Sequence, residues 1–387
     1  MNPKDFVSTE TGRVILTPQG FHAFVPEKLP PAIEFSADLV KLLSKADSAL
    51  SELSGLGRTL PNPHLLIAPY VRREAVLSSR IEGTRASLSD LLIDELDEQP
   101  ALPSRVEDVG EVRNYVAALE YGLQRLRELP LSLRLVREIH EHLMRGVRGD
   151  KATPGEFRRS QNWIGPQGSK PATAPYVPPP VNEMHECLNG WEIFLHDRES
   201  LPDLIHAAIA HAQFEAIHPF LDGNGRVGRL LITLELIERE RLAQPLLYLS
   251  AFIEANRQDY YDLLQRIRTH GDWGAWIRYF LTGVEQTAKQ ASAQAVSLLE
   301  LRDKLRAELV DKPRAQLLID ELFKNPYVTV ARAQRLLAVS NPTARAVINV
   351  LTNRGMLEEV TGRQWAKLYV SRPILRAVEL EDASSDR

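Results

Sequence analysis

His218-Pro219-Phe220-Leu221-Asp222-Gly223-Asn224-Gly225-Arg226-Val227-Gly228-Arg229 is the stretch around which the rest of the chain is organised. Apolar helical text flanks it, Leu204 to Ala210 before and Leu230 to Leu234 after, so it reads as a tight turn between two core helices. Pro219 pushes His218 out of helical geometry, which closes the first helix. Gly223 and Gly225 open backbone conformations closed to other residues. A second helix starting near Gly225 turns its free N–H groups and its dipole toward an anion such as a phosphate. Arg226 and Arg229, three apart, share its first turn and are expected to face one ligand. Asp222 offers a carboxylate of the kind that Mg²⁺ takes alongside phosphate oxygens. His218, with an ordinary pKa near ~6.5, is the natural proton acceptor at neutral pH. Each feature alone has a bland explanation as a glycine turn, a core histidine or a solvated arginine. Together, within twelve positions, they supply a base, a metal ligand, a phosphate cradle and counter-charges.

The segment resembles, without a departure, the H-x-F-x-(D/E)-G-N-G-R-x-x-R signature of the Fic family, whose members are mostly protein adenylyltransferases. The resemblance implies that His218 deprotonates a target hydroxyl while Asp222 holds Mg²⁺ on the phosphates of ATP. It makes the Gly223-Asn224-Gly225 backbone the phosphate cradle, with the nucleotide-binding run continuing through Arg226, Val227 and Gly228. Arg229 then reaches the γ-phosphate. The transfer leaves AMP on a protein Ser, Thr or Tyr and releases pyrophosphate. It also implies a mainly α fold: a Fic-type helical core with a β-hairpin flap, preceded by a helical segment.

Ser78-Ser79-Arg80-Ile81-Glu82-Gly83 forms a second site segment. Pro69 suits the first turn of a helix and Gly83 the position just past its end. Ile67, Val71, Leu77 and Ile81 give that helix an apolar stripe. Glu82 then lies at a helix C-terminus, where the macrodipole disfavours a negative charge, so it needs a cationic partner. The hexapeptide is similar to the family's (S/T)-x-x-x-E-(G/N) inhibitory motif, with Ser78, Glu82 and Gly83 at the defining positions. The resemblance names Arg229 as the partner and places this chain with members whose inhibitory helix precedes the core.

Gln161 to Gly165 and Ala174 to Pro180 enclose a Gly/Pro/Ser/Lys-rich loop. They read as a hairpin over 162–178, able to add to an extended target segment by main-chain pairing. By resemblance it is the flap that registers the target hydroxyl over the α-phosphate. Ser250 to Tyr261 resembles the family segment behind the adenosine, with Asn256 as nucleoside contact, although a helix-capping Asn256 reads equally well.

The chain has 387 residues, a formal net charge of −4 and one cysteine, Cys187. That length gives room for two or three domains. A single cysteine excludes an intrachain disulfide framework and any Cys-based zinc site, and Cys187 is expected as a small buried filler. His206 and His211 fall on different faces of their helix, which argues against a zinc site with His218. There is no signal-like start and no apolar run of ~18 residues, so a cytoplasmic protein without membrane contact is expected.

The predicted organisation is an arm and helical region over 1–105 and a core over 106–290, then a linking helix over 291–311. A separate unit over 312–377 and a tail over 378–387 follow. The first 32 residues read as irregular, helices are broken at 55–63, and an acidic patch from Asp90 to Glu98 and a break at Pro103 lead into the core. Core helices are expected at 109–127, 131–147, 181–197, 201–217, 225–241, 255–269 and 272–290. In the last unit a helix with Leu317, Leu318 and Leu322 precedes a second at Thr329–Leu337. Asn341 caps a third with Pro342 at its first position, Gly355 ends it, and a hairpin over 357–370 closes the unit. The arrangement resembles a winged helix-turn-helix. Residues 312–377 carry eleven Lys/Arg against four Asp/Glu, a net +7 that leaves −11 on the rest of the chain. Such asymmetry suits DNA phosphates, yet Arg345 and Arg354 are the third helix's only basic side chains. Dimerisation or target docking therefore remains open, as does a homo-oligomer.

Two function classes compete. One is an ATP- and Mg²⁺-dependent adenylyltransferase inhibited by Glu82 through Arg229, with variants that transfer another group or remove AMP. The other is a DNA-binding regulator whose Fic domain senses nucleotide, a role that needs no base at His218.

Overall fold

The computed structural model describes residues 1–59, 64–96, 106–147, 153–166, 168–363 and 365–379. An antiparallel pair comes first, β1 (Gly12–Leu16) and β2 (His22–Pro26), in register from Gly12↔Pro26 to Leu16↔His22. The arm expected to be irregular is therefore partly sheet. A turn makes it so: Thr17 N and Oγ1 both donate to Phe21 O, and Gly20 adopts φ +85°. Short Val/Ile and Phe/Val runs supply the strands on either side.

Among the described residues, helices carry most of the rest of the first three hundred. They are α1 (Ala37–Thr59), α2 (His64–Ile81), α3 (Leu88–Asp94), α4 (Val106–Arg125), α5 (Leu133–Met144), α6 (Val181–Leu195), α7 (Asp203–Ile217), α8 (Asn224–Glu238), α9 (Ser250–Ala255), α10 (Arg257–His270) and α11 (Trp273–Ala307). The fold is mainly α. Every residue from Leu204 to Ile217 is buried, so α7 is a central helix, apolar all round as such a position requires. Its alanines admit close neighbours. Trp191 Nε1 on α6 donates to Ala210 O and Trp276 Nε1 on α11 to Ala208 O, both at 2.8 Å.

Three expectations change. Pro69 lies inside α2, not in its first turn. The lost helical hydrogen bond is outweighed by the packing of α2 on α4 and α9, with Tyr70 and Val71 buried. The helix expected over 255–269 is α10, starting at Arg257; a separate short helix, α9, precedes it and ends at Asn256, whose backbone leaves helical geometry. The core's last helix and the linking helix are one, α11, spanning 35 residues or about 52 Å. Cys187 is half-buried. The chain at 60–63, Glu98, Pro103 and the tail from 380 lie outside the described residues. Among the described residues no helix is long and apolar enough to cross a membrane.

The final segment contains α12 (Pro313–Lys324), β3 (Tyr327–Thr329), α13 (Val330–Leu337), α14 (Asn341–Asn353), β4 (Glu358–Glu359), β5 (Leu368–Val370) and α15 (Arg372–Glu379). Thr329 caps α13, its Oγ1 accepting from Arg332 N at 3.1 Å. The N-cap of α14 is Ser340, one residue before the expected Asn341, and Gly355 follows the helix at φ +70°. The hairpin strands pair as expected, but β5 also pairs with β3, giving the order β3-β5-β4. Neither β3 nor α15 was expected. This segment shares one core with the rest: buried apolar contacts run continuously from Leu39 to Val378, with α12 and α15 against both α2 and α11.

Candidate active site

The junction of α7 and α8 folds as its sequence requires. His218 ends α7 in left-handed backbone geometry (φ 49°, ψ 61°), with its N–H still bonded to Phe214 O. Gly223 precedes α8 at φ +79°. Asn224 closes the loop between them, since Oδ1 accepts from Phe220 N at 2.8 Å and Nδ2 donates to Phe220 O at 2.9 Å. The first helical bond of α8 is Val227 N to Gly223 O, so the N–H groups of Asn224, Gly225 and Arg226 have no acceptor within the helix. They form the anion cradle.

Glu82 sits in that cradle. Its Oε1 accepts from Arg229 Nη2 at 2.7 Å, and a Cβ on Gly225 would collide with the same oxygen. Arg229 is buried and is held further by Ser78, whose Oγ accepts from Nε at 2.9 Å and whose carbonyl accepts from Nη2 at 3.0 Å. Gly83 ends α2 at φ +100° and turns the chain away. Burial would raise the Glu82 pKa, but Arg229, Arg226 and His218 outweigh it and hold the carboxyl below its ordinary value.

His218 is half-buried, and among the described residues its Nδ1 has no hydrogen-bond partner. Burial, with Arg268 and Arg158 nearby, lowers its pKa to about 3. The ring is therefore neutral at physiological pH, the form a base requires. Asp222 lies beside the cradle with its side chain half-exposed, Oδ1 accepting from Gly223 N at 2.7 Å. Arg226 Nη2 lies 3.8 Å from the same oxygen, and the accessible carboxylate fits Mg²⁺, which draws its other ligands from water and phosphate oxygens.

Other expected site residues are placed differently. Arg226 does not converge with Arg229: it donates to Glu111 on α4 at 3.2 Å, while Arg229 points to α2. Two long side chains on one helical turn have diverged to two separate acids. Val227 is buried in the core, and Gly228 faces Phe214, His211 and Glu215 on α7. Asn256 Nδ2 donates to Phe252 O at 2.9 Å, and the residue also lines a cavity of about 460 Å³ with Arg73, Arg80 and Gln290. The 162–178 hairpin is reduced to one bridge, Ile164↔Tyr176, because the prolines at 178–180 cannot extend the ladder; Gln167 lies outside the described residues. His206 and His211 serve the core, His206 against Glu235 and Phe194 O, His211 against Gly228 O and Tyr260.

Several residues that shape the site were not anticipated. His140 Nδ1 accepts from Gly155 N, so its Nε2 carries the proton that is donated to Asp222 O at 3.1 Å. Its ring stacks on Phe220 at 3.7 Å. Glu215 is buried on α7, its Oε1 without a hydrogen-bond partner among the described residues, and its pKa is pushed to about 7 by burial against the opposing pull of Arg229. No local signal marks either residue, because each acts on elements distant in sequence.

Residues 40–124 match the Fic/DOC family N-terminal model and 130–236 the Fic/DOC family model. The chain is 30% identical over 214 residues to a "Protein adenylyltransferase Fic" of Aedes aegypti, a match covering 54% of this chain and 39% of that protein. A protein of the same name from Drosophila grimshawi is 28% identical over 185 residues, covering 47% and 35%. The match thus spans little more than a third of these relatives' length. Among solved structures, a Fic family protein from Desulfovibrio desulfuricans aligns with TM-score 0.56 at 20% identity over 89% of this chain and 98% of that one. C. elegans Fic-1 (residues 134–508) aligns with TM-score 0.52 at 21% identity, covering 68% and 74%. These two share the fold.

Proposed function

We propose that this chain, which carries Fic/DOC family domains, transfers AMP from ATP to a Ser, Thr or Tyr hydroxyl of a target protein and of itself. The observation that carries the reading is a neutral His218 beside a helix N-terminus whose free N–H groups are covered by the carboxylate of Glu82. With Glu82 displaced, the N–H groups of Asn224, Gly225 and Arg226 hold the phosphates adjoining the α-phosphorus, and Arg229 fixes the γ-phosphate. Asp222 would hold Mg²⁺, which neutralises phosphate charge when bound. The target hydroxyl oxygen bonds to the α-phosphorus, the bond to pyrophosphate breaks, and the hydroxyl proton passes to His218. The region around the Ile164↔Tyr176 bridge offers the docking edge for the target segment.

Labelled ATP tests the reaction. Label at the α-phosphate should appear on protein and label at the γ-phosphate should not, assayed with the Glu82→Gly protein in a cell lysate. The reverse pattern would identify phosphate transfer instead.

Residues 312–377 support a second reading, duplex binding. Arg335 on α13, Arg345 on α14, and Arg363 with Trp365 between β4 and β5 are all exposed on a segment of net charge +7. The expected result is a mobility shift at low salt that weakens steeply as salt rises. No shift on any duplex at low salt leaves these residues a protein-docking role.

A further inference from the structure

The last turn of α7 ends on carbonyls that no helical N–H reaches, and side chains from three other segments take them. Arg268 Nη2 on α10 donates to Glu215 O at 3.3 Å, and Tyr176 OH to Ala216 O at 2.6 Å. Arg158 Nε and Asn162 Nδ2 both donate to His218 O, at 3.0 and 3.2 Å. Arg268 also meets Tyr176: its guanidinium lies over the ring, 3.9 Å from the centroid. Both side chains are buried. Tyr176 is in turn the residue bridged to Ile164 across the flap, and its ring packs on Phe24 of β2. One arginine therefore touches the turn that presents His218 and the flap opposite.

We infer that Arg268 is a positioning residue for His218: with Tyr176 it clasps the last turn of α7, joining base and flap into one body. The inference rests on His218 being the base. The groups facing His218 are Arg268 from α10, Arg158 from the chain before the flap, Glu82 from the end of α2, and the Glu215 carbonyl of α7 itself. Burial opposes protonation most and the two arginines add to it, whereas Glu82 and the Glu215 carbonyl favour it. Arg268 has a further reason to act at this range. A cation at a helix C-terminus is favourably placed in the field of the exposed carbonyls; among the described residues no ion pair holds the guanidinium, and its charge bears on both His218 and the buried Glu215.

Titration of His218 in the full-length protein, followed by histidine NMR and assigned by the signal lost in His218→Ala, reads the electrostatic half without any assay of transfer. The parent should show His218 neutral down to about pH 5. Arg268→Gln should raise the midpoint by about one pH unit or more, and Arg268→Lys, which keeps the charge, should stay with the parent. Arg268→Gln titrating like the parent overturns the inference, as does a lysine variant that shifts as far as the glutamine. Should the glutamine variant not fold, Tyr176→Phe tests the clasp. Amide exchange at 216–218 and at 174–177 should then rise together, by tenfold or more, and exchange unchanged in both segments refutes it. Loss of the proposed AMP transfer would leave both readouts interpretable, so the two ideas fail separately.

Discussion

Glu82→Gly is expected to gain activity, seen as more AMP on the protein itself or on a lysate protein. Deleting an acid from an ordinary active site costs rate, so the direction is diagnostic. Glu82 binds Arg229 at 2.7 Å and covers Gly225, so it occupies both the counter-charge and the space the phosphates need. With glycine in its place, Arg229 keeps its two bonds to Ser78 and is already aimed at the cradle. Fixing the γ-phosphate then aligns the α-phosphate with the incoming hydroxyl. A charge-assisted hydrogen bond recovered in this way is worth roughly 1.5–3 kcal/mol, about 10–100-fold in rate. Arg229→Ala in the same background should cancel the gain. With ATP, Mg²⁺ and a competent target saturating, a Glu82→Gly protein no faster than its parent refutes the inhibitory assignment.

His218→Ala should abolish transfer and leave nucleotide binding nearly unchanged. The phosphates are held by the backbone of α8 and by Arg229, whereas the ring acts on the hydroxyl. Positioned general bases contribute ~10²–10⁴-fold, and single-turnover labelling alongside nucleotide titration separates the two effects. Labelling at the parental rate would remove His218 from the chemistry. The ring's pKa of about 3 adds a pH signature. The acid limb of a transfer profile should lie well below the ~6.5 of a solvated histidine, because the neutral base persists as protons are added.

The sequence made the centre of this protein legible because chemistry and helix signals coincide there. Proline after His218, glycine at 223 and the apolar text on both sides each limit the backbone, and together they leave a turn between buried helices. The Glu82–Arg229 contact, 147 residues apart in the chain, was accessible only through the resemblance. Macrodipole reasoning required a cation near Glu82 without saying which. The remaining site residues lack a local signature. Arg268 and Glu215 are 53 residues apart, and a basic side chain on α10 reads as a solvated one until the fold buries it. β1, β2 and β3 were missed because strands of three to five residues carry too little periodicity to register between prolines and glycines. In α11 only the division near 290 differs: no capping or breaking residue marks an end there, so the expected core helix and linking helix run on as one.

That continuous α11 changes what kind of object the chain is when it comes apart. Its early turns pack on α7 and α10, and α12 and α15 lie against it as well as against α2. Gln294, midway along, donates to the carbonyls of Ala377 and Val378, and Asn325 reaches across to Leu92 O. The α7–α8 region and the C-terminal segment are therefore joined through shared packing on α2 and α11. Cutting the chain near residue 310 would not release a finished core. It would bare the apolar flanks of α2 and α11 to water, with the aggregation hazard such patches bring.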